Sequence, residues 1–283
     1  MAVSASDVKA LREKTGAGMM ECKNALVSTD GDMAAAEKLL KEKGLAALEK
    51  RSGRATNEGK IFVKSAGNKA VLVELASETD FVARNPEFIA LGESIADRTL
   101  EKGCSESLQT ELNALTADLA TKIRENMSLK RLQVVEAAGN ELLTQYIHGD
   151  GAIGVVVKIA AENPTVLQNE SIKELAFNLA LHVAAFNPVV LEQSRVDPAF
   201  LKEQEEIFRK QMETDTSLAG KPANVLENIL KGKVSKYLKD ICFLDQPYVK
   251  DEKFTVAQIL AECSKQIGTQ IRISDYVYFK VGA

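Results

Sequence analysis

The sequence predicts an α+β fold, and three observations lead there. Apolar residues recur at helical spacing from Val8 to Leu40, then alternate with period two in "KIFVKS" and "AVLVELA". Strand-like runs followed by helix-like ones occur twice, which points to two related α+β subdomains. Beyond Asp197-Pro198 the pattern is helical again, in two stretches joined by the polar connection "ETDTSLAGK".

The first element is a helix carrying Val8 and Leu11, with Ser6 as candidate cap and "TGAG" as the stop. A second helix carries Met19, Cys22 and Leu26 and ends at "TDGD". A third starts on Asp32 as cap, runs through Met33, Ala36 and Leu40, and stops at Gly44. These three form a small bundle over residues 1–48, and the polar, basic "EKRSGRATNEGK" reads as a linker over 49–59.

A core N-subdomain is expected over 60–140. Its hairpin turns at "AGNK", Asn85-Pro86 opens a helix reaching Lys102, and a further helix aligns Leu112, Leu115, Leu119 and Ile123. The second set of strands is "RLQVVEAA", "LLTQYIHG" and "AIGVVVKIAA", with Gly149-Asp150-Gly151 as a turn, and a C-subdomain is expected over 141–283. Its helix opens at Ser171 and Glu174, which match a capping box, and carries Leu175, Leu179, His182 and Phe186 on one face. An antiparallel helical hairpin is inserted at about 198–238, and the alternating "QIRISDYVYFKV" should complete the second sheet.

Composition removes several function classes. With 27% charged residues and a net charge of −4, a broad nucleic-acid-binding face is not expected. No apolar run reaches the length of a membrane span, and "MAVSASDVKALREK" lacks a signal peptide's apolar segment, so a cytoplasmic protein without membrane contact is expected. Cys22, Cys104, Cys242 and Cys263 are far apart and distant from His148 and His182, which suits unpaired thiols better than a metal site. Neither a phosphate-cradling G-x-x-x-x-G-K-[ST] loop, a G-x-G-x-x-G nor a G-x-S-x-G elbow is present.

One stretch stands out. In "ASETDFVARNPEF", Phe81 and Val82 follow Glu78, Thr79 and Asp80 in what reads as a connecting loop between a strand and a capped helix. By residue type a phenylalanine belongs in a core. Between polar flanks it either folds back into that core or is offered to something else, and Val82 could go either way.

At these residues the chain resembles the elongation factor Ts family, the guanine-nucleotide exchange factors of elongation factor Tu. "LREKTGAGMMECKNAL" and "ETDFVARN" resemble the family's two signatures, and "YIHGDGAIGVVV", "LALHVAAFNP" and "FLDQPYV" follow in the family's order. The resemblance implies a ubiquitin-associated-like N-terminal bundle, a core of two α+β subdomains and a helical hairpin. It implies a partner, elongation factor Tu, whose GDP is released and which is held until GTP enters. Thr79, Asp80, Phe81 and Val82 would form the loop that disturbs the partner's magnesium site. Arg12, Met19, Met20, His148 and His182 would be further partner contacts. Met19 and Met20 lie about 100° apart on a helix, so one face cannot bury both.

No chemical step and no cofactor of its own are implied, because the protein would act on the Mg-GDP of its partner. A dimer of two such heterodimers is compatible with the resemblance. Some members continue into a C-terminal helix that packs on the partner, and this chain ends at Phe279-Lys280-Val281-Gly282-Ala283 without that pattern. The alternative from another class is a ubiquitin-associated-like adaptor, or another translation-associated binding protein, without exchange activity.

Overall fold

Ser4 rather than Ser6 starts the first helix. Its hydroxyl accepts the Asp7 N–H at 3.1 Å, the Asp7 carboxylate accepts the Ser4 N–H at 3.2 Å, and α1 (Ala5–Thr15) follows. This reciprocal box satisfies two orphan amides of the helix start, which Ser6, already inside the first turn, cannot do. The structure is a computed structural model that describes residues 3–283. α2 (Met19–Ser28) and α3 (Met33–Arg51) complete the bundle, with Asp32 capping α3 as the sequence predicts. Leu11, Cys22, Ala25, Leu26 and Ala36 fill its centre.

The chain folds as two units. The first holds the described chain up to Glu136, together with Ile147–Gly154 and Phe279–Ala283; the second holds Ala137–Tyr146 and Val155–Tyr278.

In the first unit, β1 (Glu58–Ala66) and β2 (Lys69–Ser77) form an antiparallel hairpin with Ala66 opposite Lys69. Gly67 opens its two-residue turn at φ 58°, the left-handed region that a tight hairpin turn needs. Next come α4 (Asp80–Ala83), α5 (Pro86–Lys102), α6 (Glu106–Ile123) and β3 (Met127–Glu136), and β3 pairs antiparallel with β2. The central strand β2 is buried almost throughout, because sheet neighbours and helices cover it. Phe88 and Ile95 of α5 and Leu108 and Leu112 of α6 share one core with Phe62, Val71, Val73 and Leu75.

One expectation fails here. α3 does not stop at Gly44 but continues to Arg51, leaving only 52–57 without regular structure before β1. A Cβ on Gly44 would overlap Cγ2 of Thr121, so this glycine serves a close approach of α3 to α6 instead of a helix end. α6 carries the expected face: Leu112 is buried and Leu115, Leu119 and Ile123 pack, partly buried, against the same core, beside a buried row of Leu108, Thr116 and Ala120.

The chain continues through β4 (Glu141–His148), β5 (Ile153–Ala161), α7 (Glu170–Phe186), α8 (Pro198–Thr214), α9 (Ala223–Ile241), β6 (Pro247–Tyr248), β7 (Asp251–Thr255), α10 (Val256–Ile267) and β8 (Ile271–Lys280). β8 completes the second sheet in the order β4-β5-β8, as its alternation predicts. α7 is capped by Asn169, whose side chain accepts the Ser171 N–H at 3.1 Å, so the Ser171 box does not form.

α8 and α9 make the expected antiparallel hairpin, with Tyr237 packed on Phe200 and Phe208 at ring distances of 6.3 and 5.8 Å. α9 ends at Ile241, beyond Leu238. The β6-β7 ribbon went unread because a two-residue strand leaves no period to detect. Among the described residues no helix is long and apolar enough to cross a membrane.

Candidate functional site

The segment from Thr79 to Val82 is a single helical turn rather than an open loop. The Thr79 hydroxyl caps it, accepting the Val82 N–H at 3.4 Å while donating to the Glu125 carboxylate at 3.0 Å. Ser77 Oγ donates to the Thr79 carbonyl at 2.9 Å, and Asp80 pairs with Arg84 one turn on at 3.1 Å. At the far end Asn85 accepts the Glu87 N–H at 2.8 Å and begins α5. Before it, Glu78 accepts the Asn126 N–H at 2.6 Å and an Arg54 N–H at 3.1 Å. The Asn126 amide and then Arg54 hold the Glu78 carboxyl below the usual carboxylate range.

That framework sorts the turn's side chains. Phe81 is 80% exposed, while Val82 and Ala83 enter the core of the first sheet. Val82 is therefore a foundation of the turn and not part of its outer surface. An aromatic ring held out on a short, braced element has little ordering entropy left to lose on binding.

The bundle offers a second apolar surface. Met19 is 44% and Met20 64% exposed, and Val27 on the same helix is exposed as well. Neither methionine lies in the core of the bundle. Cys22, Ala25 and Leu26 take the inner face. Arg12 is exposed and shares a shallow cleft with Gly16 and Met19.

His148 is exposed at the end of β4, beside the turn Gly149-Asp150-Gly151, whose φ angles are 61°, 55° and 90°. Lys60 fixes this turn through the Asp150 carboxylate at 2.7 Å, and the Ile61 N–H donates to the Gly151 carbonyl at 2.7 Å. Lys60 also holds the Asp150 carboxyl below its ordinary range.

His182 does not fit the role expected of it. It is wholly buried, stacked between the rings of Phe186 at 4.6 Å and Phe243 at 5.3 Å. Its Nδ1 accepts the Val249 N–H at 3.2 Å, which leaves Nε2–H to donate to Gln246 Oε1 at 2.9 Å. With both ring nitrogens occupied and no surface, it is a structural residue of the second unit.

The residues that brace the exposed turn, Glu125 and Asn126, went unnoticed in the sequence. They lie far along the chain from Thr79, and nothing local to "IRENM" marks them.

Comparison with known proteins settles the family. A sequence model described as Elongation factor TS matches residues 78–283, starting at Glu78, the first residue of the braced segment. An elongation factor Ts of Treponema denticola is 49% identical over 282 residues, covering all of this chain and 99% of the relative. That of Treponema pallidum is 44% identical, with the same coverage. The chain belongs to the elongation factor Ts family. An elongation factor Ts of Borrelia hermsii, 41% identical over the full length of both chains, also spans the bundle that the family model leaves out. Membership carries a role in translation elongation.

Proposed function

We propose that this member of the family binds elongation factor Tu carrying GDP, promotes GDP release by disturbing the magnesium and phosphate site, and stays bound until GTP enters. The observation that carries the reading is the exposed Phe81 on a turn braced from both sides. Thr79 and Asp80 orient that turn. Magnesium demands near-ideal octahedral oxygen geometry. An apolar wedge that shifts the elements beside the ion by about an ångström spoils that geometry and loosens the phosphates. Arg12, Met19, Met20 and His148 supply further contacts, with the methionines suited to an adaptable surface.

The reading needs no chemical step, no cofactor of the chain's own, no nucleic acid and no membrane. Exchange requires only that the factor bind the nucleotide-free partner better than the nucleotide-bound one. By linkage the nucleotide then weakens the factor's binding by an equal ratio.

The test is release of a fluorescent GDP from elongation factor Tu, read beside gel filtration of the pair at rising GDP. Accelerated release and a complex that dissolves as GDP is raised are expected. A complex indifferent to GDP, or binding without faster release, leaves an adaptor and overturns the reading.

A further inference from the structure

Three consecutive residues after α6 bond to α2, to the end of α3, to the connection at 52–57 and to the segment that caps the Phe81 turn. Arg124 has a left-handed backbone, φ 69°, as the C-cap of α6. Its guanidinium pairs with Glu21 of α2, and its carbonyl accepts an N–H of Arg51 at the end of α3. Glu125 accepts the Thr79 hydroxyl that caps the Phe81 turn. Asn126 donates its backbone N–H to Glu78 and its side-chain amide to the carbonyls of Ser52 and Arg54, at 3.3 and 3.0 Å. Arg54 returns to the second oxygen of Glu78 at 3.1 Å.

The left-handed residue has a geometric consequence. It breaks the helical path so that successive residues face different segments: Arg124 the bundle, Glu125 the turn, Asn126 both the turn and the connection at 52–57. A strained backbone of this kind costs on the order of 1 kcal/mol and persists where its neighbours fix it. Several of the ties are charge-assisted, which makes them shorter and stronger than neutral hydrogen bonds. Glu21 is held below the ordinary carboxylate range by the Gly18 amide and then by Arg124, as Glu78 is by Asn126. Seated Gly44 adds an apolar stop beside them. A connection that reads as a free linker is thus tied at several points.

We propose that Arg124-Glu125-Asn126 is a positioning junction that makes the bundle surface at Met19 and Met20 and the Phe81 turn one stiff, two-point grip on the partner. This rests on the exchange-factor reading. Once one point has bound, closing the second is intramolecular, and its effective concentration rises as the joint wanders less. The junction acts on how readily the grip closes; the wedge itself remains Phe81.

The experiment uses the full chain with Asn126→Ala, which removes both side-chain bonds to the connection and keeps the amide on Glu78. Asn126→Asp, of equal shape but unable to donate, is the second variant, and Glu21→Gln/Asn126→Ala the third. Backbone amide relaxation reads whether α1 to α3 tumble with the first sheet. GDP release from elongation factor Tu reads the factor concentration at half-maximal rate. The wild-type bundle should tumble with the sheet. In the variants it should be freed, and the half-maximal concentration should rise about tenfold with the saturating rate unchanged.

A wild-type bundle that already tumbles independently, or one that stays rigid in the third variant, overturns the junction. A freed bundle with no change in half-maximal concentration overturns its part in the grip. A wild-type chain that does not release GDP is a different result, and it overturns the exchange reading itself.

Discussion

Phe81 and Val82 are adjacent in sequence and face different surroundings on one helical turn: Phe81 is 80% exposed, Val82 is 6% exposed and packs in the core of the first sheet. The turn is too short to owe its shape to helix propensity, since a single turn lies far below the length at which helices sustain themselves. The Thr79 cap, the Glu125 acceptor and the inward Val82 hold it instead. The exposed ring is thus supported by buried neighbours, and the two residues should respond oppositely to truncation.

Phe81→Ala should leave the melting temperature of the free chain almost unchanged, because the ring has few intramolecular contacts to lose. Its cost should appear in the complex, on the order of 2 kcal/mol or more as for a central aromatic anchor. GDP release should slow most at high magnesium, where the ion is hardest to displace. Val82→Ala should instead lower the stability of the free chain by about 2 kcal/mol through lost burial and the cavity left behind. Thermal melts of both free variants, paired with GDP release at low and high magnesium, check this. A large drop in melting for Phe81→Ala would contradict it.

His182 should make the second unit sensitive to mild acid. Burial pushes its pKa below the ordinary histidine value. Both ring nitrogens are engaged, and a second proton on Nδ1 would face the Val249 N–H. With the folded pKa depressed, the contribution to stability is intact above the unfolded value of about 6.5. As pH falls below it the unfolded chain takes up a proton that the folded chain refuses, and stability is lost until the folded pKa is passed. The slope is at most about 1.4 kcal/mol per pH unit. The measurement is the stability of wild type minus His182→Gln from pH 8 to pH 5. The difference should shrink below pH 6.5; a difference that stays constant would show that the imidazole titrates alike in the folded and unfolded chains.

What was legible in the sequence was local. Asp32 and Asn85-Pro86 announce their helices because cap chemistry needs only the next three residues. The exposure of Phe81 was legible only when its polar flanks were joined to the family resemblance; the inward turn of Val82 was not, since it depends on Glu125 bracing the cap from far along the chain. Asn169 outcompeted Ser171 as a cap by two positions, a choice that both residue types permitted. His182 sat on an apolar face, so its burial could be read, whereas its partners Gln246 and Val249 could not. Gly44 misled because glycine ends many helices and also admits close neighbours, and only the tertiary contact tells which.

That ambiguity yields a test at Gly44 itself. In an isolated helix Gly→Ala stabilises by about 1 kcal/mol. Here the new methyl would overlap Thr121 Cγ2, so Gly44→Ala should push α3 away from α6 and destabilise the chain in spite of the gain in propensity. Thr121 has little to lose, because its hydroxyl is buried without a hydrogen-bond partner among the described residues. Thr121→Ala alone should be neutral or slightly stabilising, since it removes an unsatisfied polar atom from the contact. The double variant Gly44→Ala/Thr121→Ala has room for the added methyl and should recover the propensity gain, ending more stable than either single variant and than wild type. Residues in contact are expected to be non-additive by 0.5 kcal/mol or more, roughly, and this pair should exceed that. Denaturant melts of the four chains read the cycle directly. If the two substitutions add, α3 and α6 are not in contact at this point, and Gly44 has no packing reason to be glycine.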